Sequence, residues 1–234
     1  MERTRMLIII ENDPQVPAGT YGETLASRGI PHRLVRCHAG EALPEPTDCC
    51  AVIVLGGAMG VHDTPDYPFL AAVKAFIRAV VARQVPFLGI CLGGQLLAES
   101  LEGSVTSCCW GEQGTLPVAL TPAGAVDPLF AGMPDPFTTF QWHNDCFTPP
   151  AGALLLAGSP ACPHQAFRLG ANAYGLQFHP EVDASIVALW SRETPATAAR
   201  SARFVADFTA AAADYGFASR LLLDNFLSLA GVLC

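Results

Sequence analysis

Through the first hundred residues, apolar and polar positions come in blocks. Met6–Ile10 is an unbroken apolar run closed by Glu-Asn-Asp-Pro, the pattern of a short strand buried on both faces. Ala18–Arg28 reads as a helix ended by Gly29, and residues 31–37 (PHRLVRC) as a second strand. Residues 49–57 (CCAVIVLGG) give a third strand, stopped by two glycines. Between 66 and 84, apolar residues recur at Phe69, Leu70, Val73, Phe76, Ile77, Val80 and Val81, with Lys74, Arg78 and Arg83 on the other side. That spacing predicts an amphipathic helix. Residues 85–90 (VPFLGI) form a fourth strand and Leu92–Leu101 a helix.

Strands alternating with helices predict an α/β fold with a doubly wound, mostly parallel central sheet and flanking helices. The strands are apolar throughout, as in a sheet covered on both faces. Residues 103–180 change character. They are rich in Pro and Gly, with strand-like pieces at TLPVAL, FTTFQW, ALLLAG, HQAFRL and NAYGLQF, some of them expected to be antiparallel. From Asp183 the chain turns helical, Ala-rich to 213 and ending in an apolar helix near 217–230. No linker, repeat or low-complexity block divides the chain, so residues 1–234 are expected to form a single domain.

Composition narrows the function classes. Of 234 residues, 51% are hydrophobic and 15% charged, enough apolar material for a large core. With 13 basic against 21 acidic residues the formal net charge is −8, and no basic cluster occurs. Nucleic acid and anionic membranes are therefore poor partners. The apolar run at Met6–Ile10 is too short for a signal peptide core, and no run is long enough to span a bilayer, so a cytoplasmic protein is expected. The nine cysteines, at 37, 49, 50, 91, 108, 109, 146, 162 and 234, include no C-x-x-C pair and are expected to be reduced, mostly buried thiols. The six histidines show no regular ligand spacing, so no metal site is expected.

One thiol stands out. Cys91 sits where the fourth strand meets a helix, flanked two residues either side by Gly89 and Gly93. A sharp strand-to-helix turn lifts a nucleophile above the carboxyl edge of a sheet. There the helix N-terminus favours a thiolate, and the following amide, of Leu92, is free to face an oxyanion. A lone cysteine is most often a packing residue; the paired glycines and the strand-to-helix corner argue for more. A base is available at His179-Pro180-Glu181, after an apolar strand expected to end at Phe178. Pro180 keeps His179 extended, so residues 179 and 181 face the same side. Glu181 can then fix the imidazole while its other nitrogen faces a thiol.

GICLGGQLLA with a distant HPE resembles the class I, triad-type glutamine amidotransferases, in particular the stand-alone GMP-synthase-like domains. VIVLGGAMGVHD, DPLFAGMP, FQWHNDCF and GLQFHPEV follow in the expected order, so the resemblance spans nearly the whole chain. It implies a flavodoxin-like fold with a small antiparallel strand element. It also implies Cys91 as nucleophile, His179 as general base and then acid, and Glu181 as its partner. The amides of Gly57 and Leu92 would form the oxyanion hole, and Gln95 would hold the substrate. Trp142, His143, Asn144 and Asp145 match the segment whose backbone grips the substrate's amino acid end. The family commonly has glycine at position 144, where asparagine's tolerance of left-handed geometry is expected to preserve the turn. The implied substrate is L-glutamine or a γ-glutamyl compound, with no cofactor. No nucleotide-activating loop is present, so ammonia would pass to a separate synthetase subunit, or the enzyme would be a γ-glutamyl peptidase or amidase without an acceptor. The loop 58–69 is long enough to shape the leaving-group side of the pocket. Two further readings remain: a glyoxalase- or chaperone-like relative, against which the HPE argues, and a non-catalytic regulatory subunit.

Overall fold

A computed structural model describes residues 5–108 and 111–232. The parallel half of the sheet comes from β1 (Met6–Glu11), β2 (His32–Arg36), β3 (Cys49–Val54) and β4 (Phe87–Ile90). Between them run α1 (Gly19–Ser27) and α2 (Phe69–Ala82), and β4 leads directly into α3 (Leu92–Ser100). The middle of the chain supplies β5 (Ser104–Thr106), β6 (Glu112–Leu120), β7 (Phe137–His143), β8 (Cys146–Thr148), β9 (Leu154–Gly158), β10 (Ala166–Leu169) and β11 (Ala173–Leu176). Four helices close it: α4 (Ala184–Trp190), α5 (Pro195–Ala198), α6 (Ser201–Ala210) and α7 (Ala212–Leu229).

Nine strands form one sheet in the order β2-β1-β3-β4-β11-β10-β9-β6-β7. The first five are parallel, and from β11 onward each neighbour runs antiparallel. Alternation along each parallel strand feeds two cores. Leu7, Ile9, Ile53 and Leu88 pack towards α1 and α7, through Tyr21, Leu25 and Leu222. Ile8, Ile10, Val52 and Val54 pack towards α2 and α3. The α2 stripe buries Leu70, Val73, Phe76, Ile77 and Val80 as its periodicity predicts. Each such side chain contributes about 1.5–3 kcal/mol by leaving water.

β5 and β8 pair as a separate two-stranded antiparallel ribbon, the small antiparallel element expected. β11 runs antiparallel to β10 on one side and parallel to β4 on the other, in the register Gly175↔Gly89 and Leu176↔Ile90. It departs from the sequence reading in ending at Leu176, short of Phe178. The Gln177 amide turns to the Gln165 carbonyl, and that of His179 reaches Phe140 on β7, so the chain leaves β4 here. Among the cysteines, Cys37, Cys49, Cys91, Cys146 and Cys162 are buried, Cys50 is half-buried and Cys108 is exposed. Cys109 and Cys234 lie outside the described residues. No helix among the described residues is long and apolar enough to cross a membrane.

Candidate active site

In an open parallel sheet, ligands bind beyond the carboxyl ends of the strands. Four such ends meet here: Asn12 and Asp13 follow β1, Gly56 and Gly57 follow β3, Cys91 follows β4 and His179 lies three residues past β11. Cys91 caps α3 with φ 50° and ψ −108°, a left-handed conformation rare for a residue with a Cβ. The strain is held by neighbours: the Cys91 amide donates to the Leu176 carbonyl (2.8 Å), and its own carbonyl accepts from the Gln95 amide (2.9 Å). The elbow is tight enough that a Cβ on Gly93 would sit 2.1 Å from the Val54 carbonyl oxygen, and one on Gly89 2.4 Å from that of Gly93. These contacts explain the G-x-C-x-G pattern physically.

His179 is fully packed, with its Nδ1 2.7 Å from Glu181 Oε1. That leaves Nε2 for the Cys91 side chain, which the imidazole faces closely enough to interact. The Trp190 indole lies edge-on to the imidazole at 4.8 Å between centroids. Gly56 leaves the space between base and thiol open: a Cβ there would lie 3.1 Å from His179 Cε1 and 3.6 Å from Cys91 Cβ. The backbone under the pair is clamped from behind. Tyr215 donates its hydroxyl to the carbonyls of His179 (3.1 Å) and Val182 (3.0 Å). Ser219 Oγ donates to the Pro180 carbonyl, and the Thr20 amide and hydroxyl donate to that of Glu181.

Charge on this constellation is unusual. Burial alone pushes the His179 imidazole down, but the Glu181 carboxylate, and then the Cys91 side chain, more than offset it and raise the imidazole to about 10. The buried Glu181 carboxylate and the neighbouring Cys91 side chain thus act together to hold the proton on the ring.

A cleft in two lobes opens around Cys91. The lobe beside His179, ≈ 190 Å³, is walled by Asp13, Val16, Trp142, Trp190 and Glu193. The other, ≈ 210 Å³, is walled by Met59, Gly60, Gln95 and the 142–145 segment. Gly57 and Ala58 border both. The Leu92 amide is the first of α3 and has no intrahelical carbonyl to reach. The Gly57 amide donates to nothing among the described residues.

The family model for class-I glutamine amidotransferases matches residues 22–186. The chain belongs to the class-I glutamine amidotransferase family. It is 37% identical over 169 residues to the glutamine amidotransferase-like protein YfeJ of Salmonella typhimurium, covering 70% of each chain. It is 40% identical over 139 residues to the GMP synthase of Geobacillus kaustophilus, covering 58% of this chain and 25% of that one. The crystal structure of a glutamine amidotransferase from Methylobacillus flagellatus superposes with a TM-score of 0.87 at 28% identity, over 97% of this chain and 95% of the other.

Within this amidotransferase, most residues singled out from the sequence converge. Cys91, His179 and Glu181 stand together, Gly57 and Leu92 flank the thiol, and Gln95 lies buried one helical turn below it. Gln95 Nε2 donates to the Asp145 carbonyl (3.3 Å) and to Gln177 Oε1 (3.4 Å). His143, Asn144 and Asp145 all line the Gln95 lobe, and Trp142 borders both lobes while stacking on Phe140. The expected left-handed turn at Asn144 is absent. Side chains close this corner instead: His143 Nδ1 binds the Asp145 carbonyl (3.0 Å), and Asp145 takes Ser107 Oγ and the Cys108 amide. Of the 58–69 loop, Ala58 borders both lobes, and Met59 and Gly60 shape the Gln95 lobe.

Three residues of the cleft wall and one packed behind it carry no signal in the sequence. Asp13 is buried and accepts from the amides of Gln15 (2.9 Å) and Ala58 (3.0 Å). Trp190 and Glu193 arrive from α4 and the turn after it. Partial burial and then the Asp13 carboxylate push Glu193 up, against a hydrogen bond from Trp142. Gln177, whose Nε2 lies 3.8 Å from the Cys91 sulfur, adjoins the HPE segment and has the pattern of a plain strand residue.

Proposed function

We propose that this amidotransferase hydrolyses the side-chain amide of glutamine through a γ-glutamyl thioester on Cys91. The observation that carries the reading is the buried Glu181–His179 pair at 2.7 Å, opening on the same cleft as a strained cysteine. The sulfur attacks the amide carbon. Charge growing on oxygen meets the amides of Gly57 and Leu92, contacts of a kind worth about 3–4 kcal/mol each when prearranged. The leaving amine departs on the His179 side, where the imidazolium donates its proton. Water, deprotonated by the same ring, then releases glutamate from the thioester. The glutamate portion occupies the lobe of Gln95 and residues 142–145. Ammonia goes to a separate synthetase, as the likeness to GMP synthases suggests.

A second reading is favoured by one feature. The lobe beside His179 offers ≈ 190 Å³, more than ammonia requires, and has two carboxylates and two tryptophans in its wall. This suits a γ-glutamyl amide whose leaving amine carries positive charge. Steady-state rates of glutamine and γ-glutamyl amide hydrolysis, by wild type and Cys91→Ala, test both. Turnover of either substrate that vanishes in the variant is expected. Equal turnover in the variant refutes the proposal.

A further inference from the structure

Behind the 142–145 corner lies a second cluster of chemically active groups. Glu112 opens β6 and His143 closes β7, and the two are direct partners in the antiparallel ladder. Their side chains therefore share a face. Cys162, in the turn between β9 and β10, brings its sulfur to the same spot. One ligand atom from each of Glu112, His143 and Cys162 lies within 4.8 Å of the others, and all three residues are buried. The sulfur of Cys146, at the start of β8, is 2.6 Å from that of Cys162.

The protons identify what is missing. His143 Nδ1 lies 3.0 Å from the Asp145 carbonyl, which can only accept, so Nδ1 carries the hydrogen. In the neutral ring Nε2 is then a bare lone pair. It is buried, has no hydrogen-bond partner among the described residues, and faces Glu112 Oε2 at 3.6 Å. The Glu112 carboxylate accepts from Ser159 Oγ (2.9 and 3.0 Å) and Gln165 Nε2 (2.5 Å), both neutral. No Lys or Arg among the described residues pairs with it. An unpartnered ring nitrogen, a buried carboxylate and the Cys162 sulfur thus converge, with the Cys146 sulfur against that of Cys162 and no Lys or Arg among the described residues beside the carboxylate. An imidazole that donates its other N–H to a backbone carbonyl is also the usual arrangement of a metal ligand.

We infer that Glu112, His143 and Cys162, joined by Cys146 through its contact with Cys162, form a site for a divalent transition-metal ion, with Zn²⁺ the best match. Zinc takes four ligands of this N, O and S mixture in a tetrahedron, and both thiols release their protons on binding. Two sulfurs on one zinc stand about 3.8 Å apart for Zn–S bonds of about 2.3 Å, so the pair opens by about 1 Å. A disulfide would account for the sulfurs alone and leave His143 Nε2 without a partner. The site shares no residue with Cys91, His179 and Glu181. It would tie the turn at 159–163 to the corner whose Asp145 carbonyl holds Gln95.

The test is titration of the reduced, chelator-treated full chain with Co²⁺ and then Zn²⁺, read by absorption and by metal content. One Co²⁺ per chain with a thiolate charge-transfer band is expected, displaced by one Zn²⁺, and unchanged in Cys91→Ala. Cys162→Ala should lose the band, and Glu112→Gln, checked for native circular dichroism, should bind at least about tenfold more weakly. Absence of stoichiometric binding, a band that survives Cys162→Ala, or a band lost in Cys91→Ala would each overturn the inference. So would a Cys146–Cys162 disulfide in protein isolated without reductant.

Discussion

Replacing Glu181 by glutamine keeps the shape of the side chain and removes its charge, which isolates what the carboxylate does for His179. The imidazole is held at about 10 against an ordinary 6.5, with burial acting in the opposite direction. At about 1.36 kcal/mol per tenfold change in proton affinity, the stabilisation of the imidazolium is on the order of 5 kcal/mol. Glu181 is the larger contributor, ahead of Cys91. Without it the imidazole should fall to its ordinary value or below. At pH 8 the protonated fraction would then drop roughly thirtyfold, but at pH 6 by less than about twofold. Because the account requires the ring to carry the proton that the leaving amine takes, kcat/KM should show the same trend. The assay is ammonia or amine release at subsaturating substrate from pH 6 to 9.5, for both proteins. The variant's deficit should widen by about an order of magnitude or more across that range, while any loss from disturbed ring orientation stays constant. A wild-type to variant ratio that does not change with pH would refute the reasoning.

The same pair sets a stability signature. A group whose affinity for protons rises on folding stabilises the protein fully below its unfolded value of 6.5 and loses that contribution as pH rises through about 10, so the wild-type advantage over Glu181→Gln in denaturant melts should shrink between pH 6 and 10. Gly56→Ala places a Cβ 3.1 Å from His179 Cε1, and should lower kcat on the order of tenfold or more with the melting temperature little changed; wild-type kcat would show that the ring is not where it must be. Tyr215→Phe leaves the buried carbonyls of His179 and Val182 without their shared donor, and should cost about 1–3 kcal/mol in calorimetry with a fall in kcat larger than any change in KM.

What the sequence disclosed was what chain neighbours determine. The α2 stripe, the buried strands, the glycine-flanked corner at Cys91 and the 179/181 pair all follow from spacings of a few residues. The partners that come from far away were invisible. Asp13, Trp190 and Glu193 share a cleft wall only because β1 and α4 end on the same edge of the sheet. Glu112, His143 and Cys162 meet through strand register and a turn, with no ligand spacing along the chain. The pairing of β11 beside β4 was equally unreadable, since NAYGLQF looks like the antiparallel pieces around it; yet that pairing brings His179 to Cys91. Asn144 shows the limit of carrying a turn over from a resemblance, because His143 and Asp145 close the corner by their own hydrogen bonds.

The central claim is a covalent one, and acid quenching during turnover tests it most directly. Protein mixed with saturating substrate, quenched within one turnover and digested under acid should carry a glutamyl adduct on the peptide containing Cys91 and on no other cysteine, and hydroxylamine should release it. A glutamyl group mapped to a different cysteine, or turnover that continues in Cys91→Ala, would contradict the account.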